Sequence, residues 1–416
     1  MAQGTAHIIG AGLAGLSAAV SLAGCGRKVV VHELARHAGG RCRSYFEPAL
    51  GLTIDNGNHL VLSGNHAALA FLKTIGAADR LVGPDAAEFP FADLASGMRW
   101  SVRPNMGPLP WWIFARGRRV PETSAFDYLP LARLLMANGA RTIGDVLSCN
   151  GVLYQRLLRP VLLAALNTEP AVGSAALAGA VVRETLARGG RACRPLVAAD
   201  GLGAAFIDPA LAFLLRKGVE VRFDHQLRAL DLADDRVRAL DFGEDKIALT
   251  ERDAAILAVP GWVAPLLIKG LSAPKEFRTI LNAHFKIAPP LGFPRIIGVI
   301  NATTEWLFAF PDRISVTVSA ADRFLEAERE PLARQIWSEV ASLTGQNDAL
   351  PPWHLVKERK ATFAALPQEN ASRPEARTRW RNLVLAGDWT ATGLPATIEG
   401  AIRSGTRAAD LVRATP

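Results

Sequence analysis

The stretch that decides the fold is Ala6-His7-Ile8-Ile9-Gly10-Ala11-Gly12-Leu13-Ala14-Gly15, which continues into an alanine-rich segment. A short apolar run, three glycines with the spacing Gly-x-Gly-x-x-Gly and a helical pattern are typical of the first strand, turn and helix of a dinucleotide-binding βαβ unit. A second β-branched run, residues 28–32, follows and ends on the acidic Glu33. The sequence therefore predicts an α/β fold with a Rossmann-type nucleotide-binding sheet.

Each residue type in this motif has a physical role. Gly10 permits the tight turn, and Gly12 lets backbone N–H groups approach a pyrophosphate. Gly15 lets the helix lie close to the strand, and Glu33 accepts hydrogen bonds from a ribose. We expect the intervening residues to contribute their backbone to the same phosphate site: Leu13 and Ala14.

A second glycine pair, Gly39-Gly40, follows Glu33 and is directly succeeded by Arg41. The backbone can approach a ligand at the glycines, and a guanidinium pairs well with phosphate oxygens. Glu33 followed by Gly-Gly-Arg resembles the flavin-binding signature of the amine oxidase and polyene desaturase superfamily. The resemblance implies that the cofactor is FAD, held in a domain of the glutathione-reductase type.

The segment Asp55-Asn56-Gly57-Asn58-His59 has turn chemistry and leads into an alternating apolar strand. In the superfamily this part of the chain passes the flavin ring, so the resemblance implies that Asn56, Gly57, Asn58 and His59 bind the cofactor. His59 titrates near neutral pH in its unperturbed state, so it is also a candidate proton shuttle. A purely structural histidine remains the alternative.

Length and composition favour two domains. The chain has 416 residues, of which 50% are hydrophobic and 21% charged, and this length exceeds the size at which one core stops growing. Strand-like runs between 295 and 319 and a helix over 321–343 indicate a second, α+β domain. We predict a discontinuous FAD-binding domain and a substrate-binding domain: 1–80, 195–262 and 365–416 for the first, 81–194 and 263–364 for the second.

The middle segment has a distinctive composition. Residues 129–167 are predicted to be mainly helical, with an apolar face that lines a lipid tunnel or forms ordinary core. Trp111 and Trp112, followed by three arginines up to Arg119, fit a membrane-interface anchor. The same tryptophans fit a buried pocket wall, and the sequence leaves both readings open.

Other classes of partner are disfavoured. The net charge of +8 comes from scattered arginines without a nucleic-acid module, so we predict no nucleic-acid binding. The four cysteines form no paired motif, and we predict no metal site.

Residues 254–268 are interrupted by prolines and are shorter than the roughly 20 residues that span a bilayer. With no basic segment before the first apolar run, we expect a cytoplasmic protein.

The C-terminal region contains the second strong motif. Residues 382–386 form a strand-like run that ends in Gly387-Asp388, and Thr397-Ile398 precede a final helix. Asp388 is placed to bond a ribityl hydroxyl, and the helix start stabilises negative charge on a reduced flavin. The segment around Leu227 resembles the superfamily strand that contacts the adenine, which implies that Leu227 makes this contact.

Several stretches of sequence indicate one particular family within the superfamily. They are residues 359–364, Arg373-Pro374, 385–390 and 395–405, together with 55–59 and 165–170. They look like the bacterial squalene-associated FAD-dependent desaturases, now understood as hydroxysqualene dehydroxylases of hopanoid biosynthesis. The resemblance implies reduction of hydroxysqualene to squalene by hydride from reduced flavin. It also implies a long isoprenoid substrate. Because such a substrate hardly dissolves in water and arginines follow Trp111 and Trp112, we predict peripheral association with the inner face of the cytoplasmic membrane.

Two alternatives stay open at this point: a carotenoid-type polyene desaturase, and a non-catalytic prenyl-lipid escort. For the dehydroxylation, His59 is the first candidate for the proton donor, with a water or Asp388 as replacements. The chain holds one complete dinucleotide fingerprint, so the external electron donor stays open between a nicotinamide, a flavodoxin-like protein and a quinone.

Overall fold

The computed structural model describes residues 4–414; the ends of the predicted cofactor-binding segments, residues 1–3 and 415–416, lie outside it. Its strands in chain order are β1 (Ala6–Ile9), β2 (Val29–His32), β3 (Ser44–Glu47), β4 (Leu52–Asp55), β5 (Val61–Leu62), β6 (Leu81–Val82), β7 (Phe89–Asp93), β8 (Arg99–Val102), β9 (Pro195–Ala198), β10 (Glu220–Arg222), β11 (Ala229–Leu232), β12 (Val237–Asp241), β13 (Lys246–Ala248), β14 (Ala254–Leu257), β15 (Phe277–Phe285), β16 (Ile296–Ile300), β17 (Trp306–Ala309), β18 (Ile314–Val318), β19 (Trp353–Phe363) and β20 (Leu383–Leu385).

The α-helices are α1 (Leu13–Gly24), α2 (His66–Ile75), α3 (Leu131–Leu135), α4 (Gly151–Leu153), α5 (Arg159–Leu166), α6 (Ala175–Glu184), α7 (Asp208–Arg216), α8 (Ala264–Leu267), α9 (Arg329–Thr344), α10 (Pro367–Ala371) and α11 (Ile398–Arg413). A π-helical turn, Tyr154–Leu158, joins α4 to α5, and another, Gly203–Ile207, leads into α7.

A five-stranded parallel sheet with the order β10-β2-β1-β14-β20 forms the first half of the molecule. Its central strands are buried along their whole length, as expected for a parallel sheet covered on both faces. Ile8 packs on the face covered by α1 and α11, whereas Ile9 packs on the opposite face with Leu240 of the antiparallel sheet β11-β12-β13. The predicted α/β class with a Rossmann-type sheet is confirmed.

The strands of this sheet come from three separated parts of the chain, each inside one of the segments predicted for the FAD-binding domain. The seven-stranded sheet, with the order β19-β15-β18-β17-β16-β7-β8, draws its strands from the segments predicted for the substrate-binding domain. The exact boundaries stay a prediction.

The two faces of the seven-stranded sheet differ in chemistry. One face packs against α9 through aliphatic side chains and Trp337. The other face carries polar side chains on β15 and β18, including Asn282 and Thr317, and aromatic side chains further along the sheet, including Trp306 and Phe91. The two faces follow from alternation along the strands, because successive side chains point to opposite sides.

Three sequence predictions on local structure need correction. Of residues 129–167, only α3 and the continuous run from α4 to α5 are helical, because Pro130 and several glycines and polar residues interrupt the rest. The helix expected over 321–343 begins at Arg329, after a short 3₁₀ turn. The segment around Leu227, expected to be a strand, is a loop, and β11 begins after it at Ala229.

The two adjacent tryptophans have different environments. Trp111 is 66% exposed, whereas Trp112 is buried and packs edge-on against Tyr128. Trp112 is therefore part of the core, whereas Trp111 is accessible, and its contact with a membrane stays a prediction. Among the described residues, no helix combines the length and apolar character that crossing a bilayer requires.

Candidate FAD site

The glycine-rich turn between β1 and α1 lies at the carboxyl edge of the parallel sheet and leaves space for a ligand on one side. Gly10 has φ = +109°, and a Cβ there would lie 2.6 Å from the Ala258 carbonyl oxygen. A Cβ on Gly15 would lie 1.9 Å from the Gly10 carbonyl oxygen, so only glycine allows this contact between strand and helix. At Gly12, by contrast, a Cβ would meet nothing within 4 Å, so this side of the turn faces open space.

The first turn of α1 has backbone N–H groups without hydrogen-bond partners inside the helix. Its N-cap residue is Gly12, which has no side chain, and no side-chain cap is present. The first four N–H groups of a helix lack partners within the helix, and the helix dipole adds positive potential there. The backbone of Leu13 and Ala14 therefore fits an anionic phosphate, as the sequence predicts.

The second glycine loop lies directly against the first. The Gly39 N–H donates to the Ala11 carbonyl at 2.8 Å, and a Cβ on Gly40 would lie 3.5 Å from the Gly12 Cα. Glu33 lies at the end of β2, and its carboxylate accepts from the backbone N–H of Ala11 at 2.6 Å. The structure thus brings the two loops and the acidic strand end together.

Arg41 connects two distant parts of the site. Its Nη2 donates to both carboxylate oxygens of Asp388, at 2.7 and 2.8 Å, and its Nη1 donates to the Ala361 carbonyl at 2.6 Å. Burial on its own would lower the pKa of Arg41, but the neighbouring Asp388 carboxylate raises it overall. Asp388, at the end of β20, is therefore held in place by Arg41. The phosphate contact of Arg41 and the ribityl contact of Asp388 stay predictions.

Arg373 supports the loop that follows Asp388, a role that no sequence motif indicates. Its buried guanidinium donates to the Asp388 carbonyl at 3.0 Å, to the Thr390 carbonyl and to Thr392 Oγ1. Burial lowers the pKa of Arg373 to about 10, with Asp388 opposing the shift. Arg41 thus pairs with the Asp388 carboxylate, whereas Arg373 holds the backbone of Asp388 and of the loop that follows it.

The segment of residues 56–58 crosses the polar face of the seven-stranded sheet. Asn58 Nδ2 donates to Thr317 Oγ1 at 3.1 Å, and Asn282 Nδ2 donates to the Asn56 carbonyl at 3.4 Å. Asn56 Nδ2 donates to Glu358 on β19 at 2.9 Å. The sequence motifs did not single out Asn282, Thr317 or Glu358. Asn282 and Thr317 are polar residues that alternate with apolar ones along buried strands, whereas Glu358 lies in a charged run of β19.

His59 follows this segment, and its electrostatics differ from the sequence-based expectation. Burial, together with the positive charge of Arg41, lowers the pKa of His59 to about 4. The near-neutral pKa of an unperturbed histidine therefore does not apply to His59 in the folded protein, because the ring lies in a desolvated site close to a guanidinium, and its role as a proton shuttle stays a prediction. At neutral pH the imidazole is uncharged, and it can take part in hydrogen bonding but is a poor proton donor.

The other end of the predicted site begins at α11. Thr397 is the N-cap residue, and its side chain accepts from the Gly400 N–H at 3.0 Å, which leaves the first-turn N–H group of Ile398 without an intrahelical partner. Gly387 directly precedes Asp388 and has φ = +150°.

Leu227 is buried in a loop beside β2, where the His225 N–H donates to the Glu33 carbonyl. Its adenine contact stays a prediction.

These features fit a dinucleotide cofactor that extends from the glycine turn to the N-terminus of α11. One end offers uncapped helix N–H groups and the open side of Gly12. The other end offers Asp388, the guanidinium of Arg41 that pairs with it, and a second helix N-terminus. The fold and site together define an α/β oxidoreductase of the flavoprotein class.

Comparison with known proteins identifies the family. The family model for flavin-containing amine oxidoreductases matches residues 13–413. The chain belongs to this family and is an FAD-dependent oxidoreductase. Among solved structures, cyclohexylamine oxidase from Brevibacterium oxydans has a TM-score of 0.68 at 15% identity, covering 99% of this chain and 98% of that chain.

Curated relatives are much more similar in sequence. The hydroxysqualene dehydroxylase of Rhodopseudomonas palustris is 57% identical, over 99% of this chain and 98% of the relative. The hydroxysqualene dehydroxylase of Sinorhizobium fredii is 55% identical, over 97% of both chains.

Proposed function

We propose that this protein reduces hydroxysqualene to squalene. The observation that carries the proposal is 57% identity to a hydroxysqualene dehydroxylase over nearly the whole of both chains. The described geometry supports it, because the glycine turn, Glu33 and Asp388 form one continuous site suited to FAD. A protein that only escorted prenyl lipids would not need this site.

We assign the cofactor contacts as follows. Gly10 to Gly15, with Gly39 and Gly40, hold the pyrophosphate, and Glu33 holds the adenosine ribose. Asp388 holds the ribityl chain, and the N-terminus of α11 at Thr397 and Ile398 faces the flavin ring. When bound, FAD supplies the hydride for the reduction.

The protein's own residues then have to orient the substrate and exclude water. The polar group around Asn58, Asn282 and Thr317 lies on the same sheet face as the aromatic side chains that include Trp306. Departure of a hydroxyl from an allylic carbon leaves positive charge, and aromatic faces stabilise such charge without forming a bond to it. The aromatic side chains of this face suit a long polyene beside a polar reaction centre.

Product analysis tests the reaction. The purified holoprotein, reduced with dithionite without oxygen, is incubated with hydroxysqualene, and the products are separated by gas chromatography. We expect squalene in amounts that match the flavin oxidised. Only dehydrosqualene or longer polyene products would contradict the proposal and favour a desaturase.

We also propose that the protein docks on the inner face of the cytoplasmic membrane through an apolar patch. The patch consists of exposed side chains on two packed 3₁₀ turns and their flanks: Leu109, Trp111, Phe114, Phe126 and Leu129. The exposed Arg116 and Arg118 lie beside it. Apolar side chains bordered by arginines suit an anionic bilayer, since the rings enter the interface while the guanidinium groups contact headgroups.

Sedimentation with liposomes tests the docking surface. We expect the wild type to co-sediment with vesicles that contain anionic lipid and to be released by salt, because screening weakens the arginine contacts. The double variant Trp111→Ser/Phe114→Ser should stay in the supernatant. The control Leu215→Ser removes an equally exposed apolar side chain on α7 and should bind as wild type. Equal binding of both variants would contradict this assignment.

A further inference from the structure

A cavity of about 330 Å³ lies between α5 and the edge of the seven-stranded sheet. Leu163 and Ile300 form apolar parts of its wall, while Arg159, Arg323 and Glu305 contribute charged groups. The aromatic part of the sheet face begins next to this cavity, because Trp306 directly follows Glu305 and packs in the same cluster as Ile300. The cavity therefore adjoins the surface that we assign to the polyene.

Glu305 is a carboxyl group inside the protein with few polar partners. Its side chain is 15% exposed. One oxygen accepts from the Ser319 N–H at 2.7 Å, and the Arg323 guanidinium lies 3.8 Å from the other. Burial raises the pKa of Glu305 to about 7, although Ser319, Arg323 and Arg159 oppose the shift. A substantial fraction of this carboxyl is thus protonated at neutral pH.

The position of Glu305 relative to the proposed flavin site follows from strand β18. Thr317 on this strand contacts Asn58, and Ser319, two residues further along, contacts Glu305. Two residues of extended chain span about 7 Å. The acid therefore lies roughly one strand repeat from the polar group that surrounds the proposed reaction centre.

We propose that Glu305 is the proton donor for the departing hydroxyl, an inference that rests on the proposed dehydroxylation. The carbon–oxygen bond breaks with its electron pair on oxygen, and the Glu305 proton joins that oxygen to form water. The hydride that the reduced flavin provides completes the new carbon–hydrogen bond. Glu305, left as a carboxylate, regains its proton from solvent through the cavity, where Arg323 is half exposed.

The charged groups around Glu305 are compatible with its losing and regaining a proton. Arg159 on α5 faces the cavity but is paired with Glu169, and Arg156 is paired with Glu122. Asp93 also lines the cavity, and its carboxylate accepts from Asn301. Arg323 is thus the nearest cation to Glu305, and it stabilises the carboxylate formed after proton transfer.

The test uses rapid mixing of the dithionite-reduced holoenzyme with hydroxysqualene from pH 5.5 to 8.5, following flavin oxidation by absorbance. In the wild type we expect a maximal rate at acid pH that declines as the pH rises through about 7. Glu305→Gln keeps an oxygen for the Ser319 N–H but has no acidic proton. It should be slower by about 10²-fold or more and independent of pH. Glu305→Asp should recover part of both the rate and its pH dependence.

The matched control is Glu339→Gln. Glu339 on α9 accepts from the backbone N–H groups of Thr303 and Thr304, so it holds the same loop, but it does not line the cavity. This variant should keep the wild-type rate and pH profile. All variants should retain FAD and be reduced by dithionite normally.

The infrared spectrum gives an independent readout, since the carbonyl stretch of a protonated carboxyl should be present at pH 6 and missing in Glu305→Gln. A wild-type rate and pH profile in Glu305→Gln would overturn the proposal while leaving the dehydroxylation intact. Failure of the wild type itself to convert hydroxysqualene would instead overturn the proposed function, and the role of Glu305 with it.

Discussion

Gly12 differs from its neighbouring glycines in what it faces. Gly10 and Gly15 are required by contacts inside the protein, since a Cβ at either position would overlap a backbone carbonyl. Gly12 has an ordinary φ of −74° and open space around it. The fold itself therefore does not require glycine at residue 12, whereas a pyrophosphate lying against the turn does.

Gly12→Ala should separate folding from cofactor binding. We expect the variant to fold with an unchanged midpoint of thermal unfolding as apoprotein, but to bind FAD at least tenfold more weakly, which is about 1.4 kcal/mol. Fluorescence titration of the apoprotein with FAD measures this affinity. The control Gly24→Ala, at the exposed end of the same helix, also adds a methyl into open space and should bind FAD normally. Wild-type affinity in Gly12→Ala would place the pyrophosphate elsewhere.

At the scale of elements, Glu399 joins α11 to α2. Its side chain is only 2% exposed, and its two oxygens accept from the N–H groups of Ala67 and Ala68 in the first turn of α2. The same carboxylate pairs with Arg403. Asn65, the N-cap residue of α2, makes no side-chain cap. A residue more than 300 positions away therefore caps α2.

Glu399→Ala should destabilise the protein by about 1.5–3 kcal/mol, because it removes charge-assisted hydrogen bonds and leaves buried donors unpaired. The shift of the urea unfolding midpoint measures the loss. Glu330→Ala, which breaks the exposed pair with Arg334 on α9, is the matched control and should cost less than about 1 kcal/mol. Similar losses in the two variants would show that the buried cap contributes little.

At the scale of the whole molecule, buried histidines link the stability of the fold to pH. His32 lies in a row between His7 and His225, with ring nitrogens 3.1 and 2.9 Å apart. Burial, followed by the neighbouring histidines, lowers the pKa of His32 to about 3. His284 donates to or accepts from Ser315, and burial lowers its pKa to about 3 as well. Both rings are neutral in the folded protein.

The melting temperature should therefore decrease as the pH is lowered from 7 to 5. Below pH 6.5 the unfolded chain takes up protons that the folded protein does not, and each such histidine contributes a slope of about 1.4 kcal/mol per pH unit. Glu305 offsets the slope that one of these histidines contributes, because its raised pKa stabilises the folded state as the pH falls from 7 toward 4.5. Calorimetry at several pH values measures the net slope.

His284→Gln should flatten this dependence, since glutamine keeps a polar partner for Ser315 and does not titrate. His37→Gln replaces an exposed histidine and should leave the slope unchanged. A melting temperature independent of pH in the wild type would contradict the assignment of neutral buried histidines.

The sequence predicted those parts of the site that are formed by residues close together in the chain. The glycine turn, Glu33 and Asp388 were found because strand, turn and helix adjoin in the chain, and spacing alone defines them. Arg373, Asn282 and Thr317 had no such signal. Their roles depend on partners far away in sequence, and a buried guanidinium looks like any surface arginine when its surroundings are unknown.

The sequence by itself determined the α/β class, because this class depends on backbone geometry that a short motif encodes, and its resemblance to flavin-binding sequences indicated the FAD cofactor. Only the tertiary structure decided the charge states. Desolvation shifts the pKa of His59 to about 4 and that of Glu305 to about 7, and this difference is why we propose Glu305 and not His59 as the acid. Burial is a property of the packed molecule, and no spacing of residues along the chain encodes it.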